Sequence, residues 1–372
     1  MSKILILAND ETTVIHFRKE IIKAFIENGH NVTVSYPLGK NTEEVSALGC
    51  KVCNIDVSAK GKNVIKDVNF FRECKKLIKS EKPDIVLTYT IKPNIYGSIA
   101  CQRTNTPYIN NVTGLGSVLQ NQGKLSNLIL KLQKIAYRKS SCVFFQNEDN
   151  RNKLQKIGVV SANTKTQVLP GSGVNLELHQ FEPYPEQRNI TKFILVSRVR
   201  RDKGYAEYMD AAECLKEKYP NTEFHAVGWY EDKMDNRVDI LNEKGVLIFH
   251  GPKSQEEVHQ LIVEADCLVH PSYHEGMANV LMEAAAAGRP VIASIIPGCR
   301  ETFEEGVTGF GCEVKSSESL IDTIEKFINT PYEKRVQMGK LGRKKMETEF
   351  DRKIVANYYL NQINETLNSR SN

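Results

Sequence analysis

What the 372-residue sequence lacks narrows it first. No apolar run approaches the roughly 20 residues needed to span a bilayer, so no transmembrane segment is expected. The stretch Ile4-Leu5-Ile6-Leu7-Ala8 is short, follows a single Lys and has no small-residue cleavage pattern. It reads as a first β-strand rather than a signal peptide. The loop after it, Ala8 to Arg18, contains no G-x-G-x-x-G, which argues against a dinucleotide oxidoreductase. Nine cysteines, an odd number scattered from Cys50 to Cys312, fit free thiols of a reducing cytosol rather than a disulfide framework. Cys50 and Cys53 form a lone C-x-x-C without a second Cys or His pair. On a strand that spacing points them to opposite faces, and they read as small packing residues.

The most telling absence is of acid. Between Asp84 and Glu148 there is no Asp or Glu, while Lys92, Arg103, Lys124, Lys131, Lys134, Arg138 and Lys139 all fall there. Residues 1–190 hold 26 basic and 16 acidic side chains, a balance of +10, and the remainder holds 24 and 29, a balance of −5. Such a field implies an anionic partner (a membrane surface, a phosphorylated acceptor or a nucleic acid) or else a solvated basic face. Few aromatics interleave with the basic residues and no reader motif is present, which sets nucleic acid aside.

Short β-branched runs alternate with helical stretches. Strands are expected at 3–8, 31–35, 51–55, 84–89, 108–111, 142–145 and 166–169, with helices such as Phe17–Glu27, Val64–Lys79 and Leu125–Lys139 between them. After the Pro-bearing stretch 181–191 the pattern restarts, with strands at 193–197, 223–227, 246–250, 267–270, 291–293 and 311–314. The fold class is therefore α/β: two doubly wound, Rossmann-like domains facing a central cleft, with ligands at the carboxyl ends of the strands. Residues 1–187 form the first domain and 188–350 the second; a helix within 351–372 is expected to pack back on the first.

The densest chemical signal runs from Asp266 to Pro290. A buried strand, Cys267-Leu268-Val269-His270, leads into Pro271-Ser272-Tyr273-His274-Glu275-Gly276-Met277-Ala278-Asn279 and then a helix from Val280 to Ala287. A strand feeding a glycine-bearing loop and a helix N-terminus makes an anion site. Glu275 and Glu283 beside it suit hydroxyl-bearing rings, because a carboxylate accepts from hydroxyls. The pair fits a diphosphate flanked by two such rings.

These residues resemble a family. E-G-M-A-N-V-L-M-E is similar to the E-x7-E element of glycosyltransferase family 4, enzymes of the GT-B fold. Ser197-Arg198-Val199-Arg200-Arg201-Asp202-Lys203-Gly204 resembles that family's S-R-x4-K-G element, and Leu169 to Asn175 and Ile296 to Glu301 also fit. The resemblance implies that Arg198 and Lys203 grip the diphosphate of a nucleotide-sugar donor, a role that suits a guanidinium and an ammonium facing developing negative charge. It further implies that Glu275 contacts the donor sugar, that the N–H groups of Gly276, Met277, Ala278 and Asn279 lie close to sugar and phosphates, and that Glu283 takes the ribose. His250, Gly251 and Pro252 resemble the loop that holds the base through its backbone. The chain has no D-x-D, in keeping with a site that needs no metal and no cofactor. By analogy the reaction retains anomeric configuration by front-face attack, without a protein nucleophile.

On the acceptor side the candidates are His16, which faces the cleft or merely caps and packs, Lys92 and Asn94 after a strand end, and Thr113, Gly114 and Gly116 in a small-residue loop. Relatives often carry a histidine where Ile91 stands, so attention moves to Lys92 and Asn94. Leu125, Leu128, Ile129, Leu132, Ile135 and Ala136 recur at helical spacing among lysines. That helix is either membrane-seeking or a core helix with a wet basic side. The subfamily resemblance is to bacterial transferases acting on undecaprenyl-diphosphate glycans in O-antigen, capsule and glycoprotein glycan assembly. It implies a lipid-linked anionic acceptor and a peripheral position at the cytoplasmic face of the inner membrane. The rivals are a nucleotide-sugar epimerase of the same fold and a non-catalytic sugar-nucleotide-binding module.

Overall fold

The computed structural model describes residues 1–57, 64–115, 123–231 and 236–371. The chain forms two compact units, Met1–Ser172 joined by Arg352–Asn372, and Gly173–Asp351. In the first, among the described residues, the strands are β1 (Lys3–Leu7), β2 (Asn31–Tyr36), β3 (Lys51–Asn54), β4 (Ile85–Tyr89), β5 (Tyr108–Val112), β6 (Cys142–Phe145) and β7 (Thr166–Val168). They make one parallel sheet in the order β3-β2-β1-β4-β5-β6-β7. Every residue of β4, β5 and β6 is buried, as expected of parallel strands covered on both faces.

The first helix, Glu11–Glu27, begins six residues before the expected start at Phe17. The Asp10 carboxylate accepts from the Thr13 N–H at 2.6 Å and from its hydroxyl at 2.8 Å, an N-cap that starts the helix before its apolar period is legible. His16 and Arg18 therefore lie inside the helix, not where a loop turns into one. The closing helix, Arg352–Ser371, belongs to the first unit, where Val355, Tyr359 and Ile363 join Phe25, Tyr89 and Phe144 in one core. The Tyr359 ring meets Phe144 edge-on at 4.9 Å and its hydroxyl donates to Asn111 Oδ1 at 2.5 Å.

The units part at Ser172/Gly173, not at 187/188. The Pro-bearing stretch that resembles a linker is fastened to the second unit. The Arg289 guanidinium donates to the carbonyls of Glu182 at 2.9 Å and Pro183 at 3.0 Å, and the Tyr184 hydroxyl donates to the Asp266 carbonyl at 3.0 Å.

The second unit's strands are β8 (Thr191–Val196), β9 (Thr222–Val227), β10 (Ile248–Phe249), β11 (Cys267–His270), β12 (Val291–Ser294) and β13 (Gly309–Cys312). Their parallel order, β10-β9-β8-β11-β12-β13, is that of a doubly wound dinucleotide-type fold. The order reverses between β8 and β11, so the loops leaving these two strands diverge and leave a crevice at their carboxyl ends.

Candidate active site

The two loops at that crevice are stitched together. Gly204 closes the β8 loop at φ +74°, and a Cβ there would stand 2.2 Å from the Pro271 carbonyl oxygen, so only glycine permits this approach. The Tyr273 N–H donates to the Asp202 carbonyl at 2.9 Å. These contacts bring Lys203 Nζ within 2.6 Å of Glu275 Oε1, and His270 Nε2 lies 2.8 Å from the same oxygen. Burial alone would raise the Glu275 pKa. The hydrogen bond and charge of His270 and the charge of Lys203 overcome it and pull the carboxyl down to about 2. Glu275 is thus a fixed carboxylate, able to accept from hydroxyls and unable to donate a proton at neutral pH.

Arg198 Nη1 donates to Glu231 Oε2 at 2.6 Å, and Arg200 Nη1 stands 3.5 Å from that oxygen. A cavity of about 270 Å³ opens among Ser197, Arg198, Lys203, Trp229, Lys253, His270, Glu275, Met277, Ala278 and Asn279. A larger one, about 380 Å³, lies by Lys3, His30, Asn31 and Lys51 at the amino ends of β1, β2 and β3, the edge from which open α/β sheets do not take ligands.

The helix Asn279–Ala286 has no side-chain cap. Of its expected row of donor N–H groups, that of Ala278 is committed to the Gly298 carbonyl at 2.8 Å. Gly298, at φ +87°, packs against the Gly276 carbonyl, which a Cβ would approach to 2.7 Å. Asn279 lines the cavity, and its buried Oδ1 has no hydrogen-bond partner among the described residues. Glu283 lies one turn on from Asn279 on the same helix face, 4.0 Å from His179 Nε2, and does not line the cavity.

Nor do His250, Gly251 and Pro252 line it, although Lys253 does. The His250 ring stacks on His225 at 5.2 Å with Nε2 2.9 Å from His225 Nδ1, and the Gly251 carbonyl accepts from the Gly228 N–H at 3.1 Å. What this loop still offers a base is its remaining backbone.

In the first unit the acceptor candidates separate. His16 is half-buried on its helix. Lys92 is not presented as an open cation, because it pairs with Asp67 at 2.7 Å. Asn94 is a scaffold residue at 2% exposure: it accepts from the Thr88 hydroxyl at 2.7 Å and donates to the Asn111 carbonyl at 2.8 Å. Thr113 and Gly114 follow the end of β5, and Thr113 borders a small cavity with Arg18 and Gln146. Gly116 lies outside the described residues.

Sequence reasoning missed His270, Glu231 and Trp229. His270 had a signal, a polar residue ending an otherwise apolar buried strand; Glu231 and Trp229, on the loop leaving β9, had none.

Known proteins bear on this site. Residues 177–345 match the family model described as glycosyl transferases group 1, and residues 3–147 that described as glycosyl transferase 4-like. Over 371 residues the chain is 26% identical to the N,N'-diacetylbacillosaminyl-diphospho-undecaprenol alpha-1,3-N-acetylgalactosaminyltransferase of Campylobacter jejuni, covering 95% of this chain and 96% of that protein. It is 27% identical over 280 residues to the UDP-Gal:alpha-D-GlcNAc-diphosphoundecaprenol alpha-1,3-galactosyltransferase of Escherichia coli, covering 70% of each. Among solved structures, the sucrose-phosphate synthase of Thermosynechococcus elongatus superposes with a TM-score of 0.81 at 18% identity, covering 100% of both chains. Anabaena HepE in complex with UDP and glucose gives 0.78 at 20% identity, covering 99% of this chain and 100% of that one. The chain is a glycosyltransferase of the GT-B fold, its first unit matched by the glycosyl transferase 4-like model and its second by the glycosyl transferases group 1 model.

Proposed function

We propose that the protein is a retaining glycosyltransferase that moves a hexose or N-acetylhexosamine from a UDP-linked donor to a sugar carried on a polyprenyl diphosphate, in bacterial surface polysaccharide or glycan assembly. The observation that carries the donor half is the fixed Glu275 carboxylate, clamped by Lys203 and His270 beside Arg198 at the switch point of the second unit. In this reading Glu275 accepts from donor-sugar hydroxyls. Arg198 and Lys203 stabilise the negative charge that develops on the diphosphate as its bond to the anomeric carbon breaks. The acceptor oxygen bonds to that carbon from the same face, and its proton passes to the departing phosphate oxygen. The charge that a divalent ion supplies elsewhere comes from these two cations, so the reaction is read as metal-independent and free of cofactors. The acceptor class is supported by the Campylobacter and Escherichia relatives, both named for transfer onto undecaprenol-diphosphate-linked sugars.

The site of action in this reading is the cytoplasmic face of the inner membrane, reached without a span. Among the described residues no helix is long and apolar enough to cross a bilayer. The helix Lys124–Tyr137 turns Gln133, Ala136 and Tyr137 inward and leaves Leu125, Leu128 and Ile135 44%, 52% and 51% exposed beside its lysines. That exposure favours the membrane-seeking reading over the core-facing one. The helix Val64–Glu81, packed against the same Pro93–Gly97 turn, adds Val64 and Ile65, each 73% exposed. Basic and aliphatic side chains on one unit suit an anionic lipid surface; nucleic acid has no part in this reading.

The test is a screen of UDP-sugars against polyprenyl-diphosphate-linked acceptors, scored for transfer and for the anomer formed. Normal transfer by Glu275→Ala would show the site to be misplaced. Rapid epimer formation from a UDP-sugar alone would replace transfer with isomerisation.

A further inference from the structure

We propose that Glu231 is a positioning residue of the donor site, holding one edge of the Arg198 guanidinium so that its remaining N–H groups face the donor diphosphate. The inference rests on the reading of this cavity as the donor site. Glu231 is the buried half of the pair, its side chain 15% exposed against 39% for Arg198. Its backbone is pinned as well: the Val199 N–H donates to the Trp229 carbonyl at 2.9 Å, and the Glu231 N–H donates to the Val199 carbonyl at 3.4 Å. Val199 and Tyr230 thereby pair as a short parallel bridge that carries the Arg198 loop and the Glu231 loop together.

Among the described residues Nη1 is the Arg198 nitrogen engaged by Glu231, while Nε and Nη2 have no protein partner. A guanidinium fork anchored at one corner keeps the rest of its fixed geometry for a second anion, the arrangement that suits bidentate phosphate recognition. Arg200 shares the same carboxylate at 3.5 Å. Arg200 also has Asp202 at 3.0 Å, so without Glu231 it is Arg198 that loses its carboxylate anchor and its fixed place at the cavity wall. The opposite role, an internal anion that competes with the diphosphate, predicts the opposite sign.

The test is calorimetric titration of the full chain with UDP, which needs no acceptor. Glu231→Gln should weaken UDP about tenfold, the scale of one hydrogen bond to a charged group. Glu231→Asp, which keeps the charge and loses the reach, should weaken it similarly and serves if the amide variant folds poorly. In an Arg198→Ala background either change should add less than about twofold, since the proposed effect of Glu231 on UDP runs through Arg198. Unchanged or tighter UDP binding in both Glu231 variants overturns the proposal, as does a loss that adds fully to that of Arg198→Ala. If the Glu231 proposal alone is wrong, Arg198→Ala still weakens UDP. If wild type fails to bind UDP, or Arg198→Ala binds it equally well, the donor reading falls and takes this inference with it.

Discussion

The cavity of the second unit and the basic surface of the first are both rich in cations, and they treat them in opposite ways. Around the cavity each cation has a carboxylate: Lys203 has Glu275 at 2.6 Å, Arg198 has Glu231 at 2.6 Å, and Lys253 has Glu257 at 3.1 Å. On the helix Lys124–Tyr137 and the residues after it, none of Lys124, Lys131, Lys134, Arg138 and Lys139 has an acidic partner among the described residues. Paired cations are held in place, which gives geometry; unpaired cations keep a long-range field, which gives attraction without geometry. A reacting diphosphate needs the first and a lipid surface the second.

The sharpest way to break the contrast is at Arg198. Arg198→Ala should lower transfer roughly 100- to 1,000-fold, the cost of one donor aimed at developing charge, whereas Lys131→Glu with Lys134→Glu should leave UDP binding unchanged. Initial rates of UDP release and UDP titration decide this. Next comes stability. Lys203→Met leaves Glu275 buried with His270 alone, and roughly 3 kcal/mol should be lost, read from denaturant unfolding of the second unit. The surface lysine variants should unfold like wild type.

Salt separates the regions more gently. Sedimentation with vesicles rich in anionic lipid should fall steeply between about 0.05 and 0.5 M salt, as screening shortens from over ~10 Å to under ~5 Å, while UDP affinity falls far less. Leu128→Asp should weaken vesicle binding at every salt concentration; equal binding would assign the exposed leucines no lipid role.

The smallest effect is in pH. Burial, and for His250 also the nearby His225 and Lys253 charges, lowers the pKa of His225 and of His250 below 6.5 in the fold. Their neutral forms are therefore favoured on folding. The stability they contribute is full above pH 6.5 and declines as pH falls through that value, because the unfolded chain takes up protons first. Melting temperature should fall between about pH 6.5 and 5, and less so in His250→Gln. Glu275 follows at lower pH: its contribution holds above 4.5 and is lost as pH falls toward about 2.

Much of the frame was legible because buried parallel strands are near-continuous apolar runs: β6 and β11 stand where their runs of residues do. The first helix was misjudged because its cap, Asp10, precedes an apolar period interrupted by the buried Arg18. The boundary near 187 was misplaced because Pro183 and Pro185 mark a linker by composition, while carbonyls bound by Arg289 mark a packed segment only in three dimensions. In the site, loop chemistry declared Arg198, Lys203 and Glu275. The Arg198 partner Glu231 could not be read, since an ion pair across loops of different strands leaves no local spacing, whereas His270, five residues before Glu275, was marked only by its polarity at the end of an apolar strand.

The closing helix has a consequence for how the molecule is made. Val355, Tyr359 and Ile363 complete the core begun by Phe25 and Tyr89, with the whole second unit encoded between them. A ribosome delivers the second unit entire while the first still lacks one wall of its interior. Until residues beyond 352 emerge, the core of the first unit stays incomplete and its apolar surface uncovered, the kind of exposure that invites misassembly.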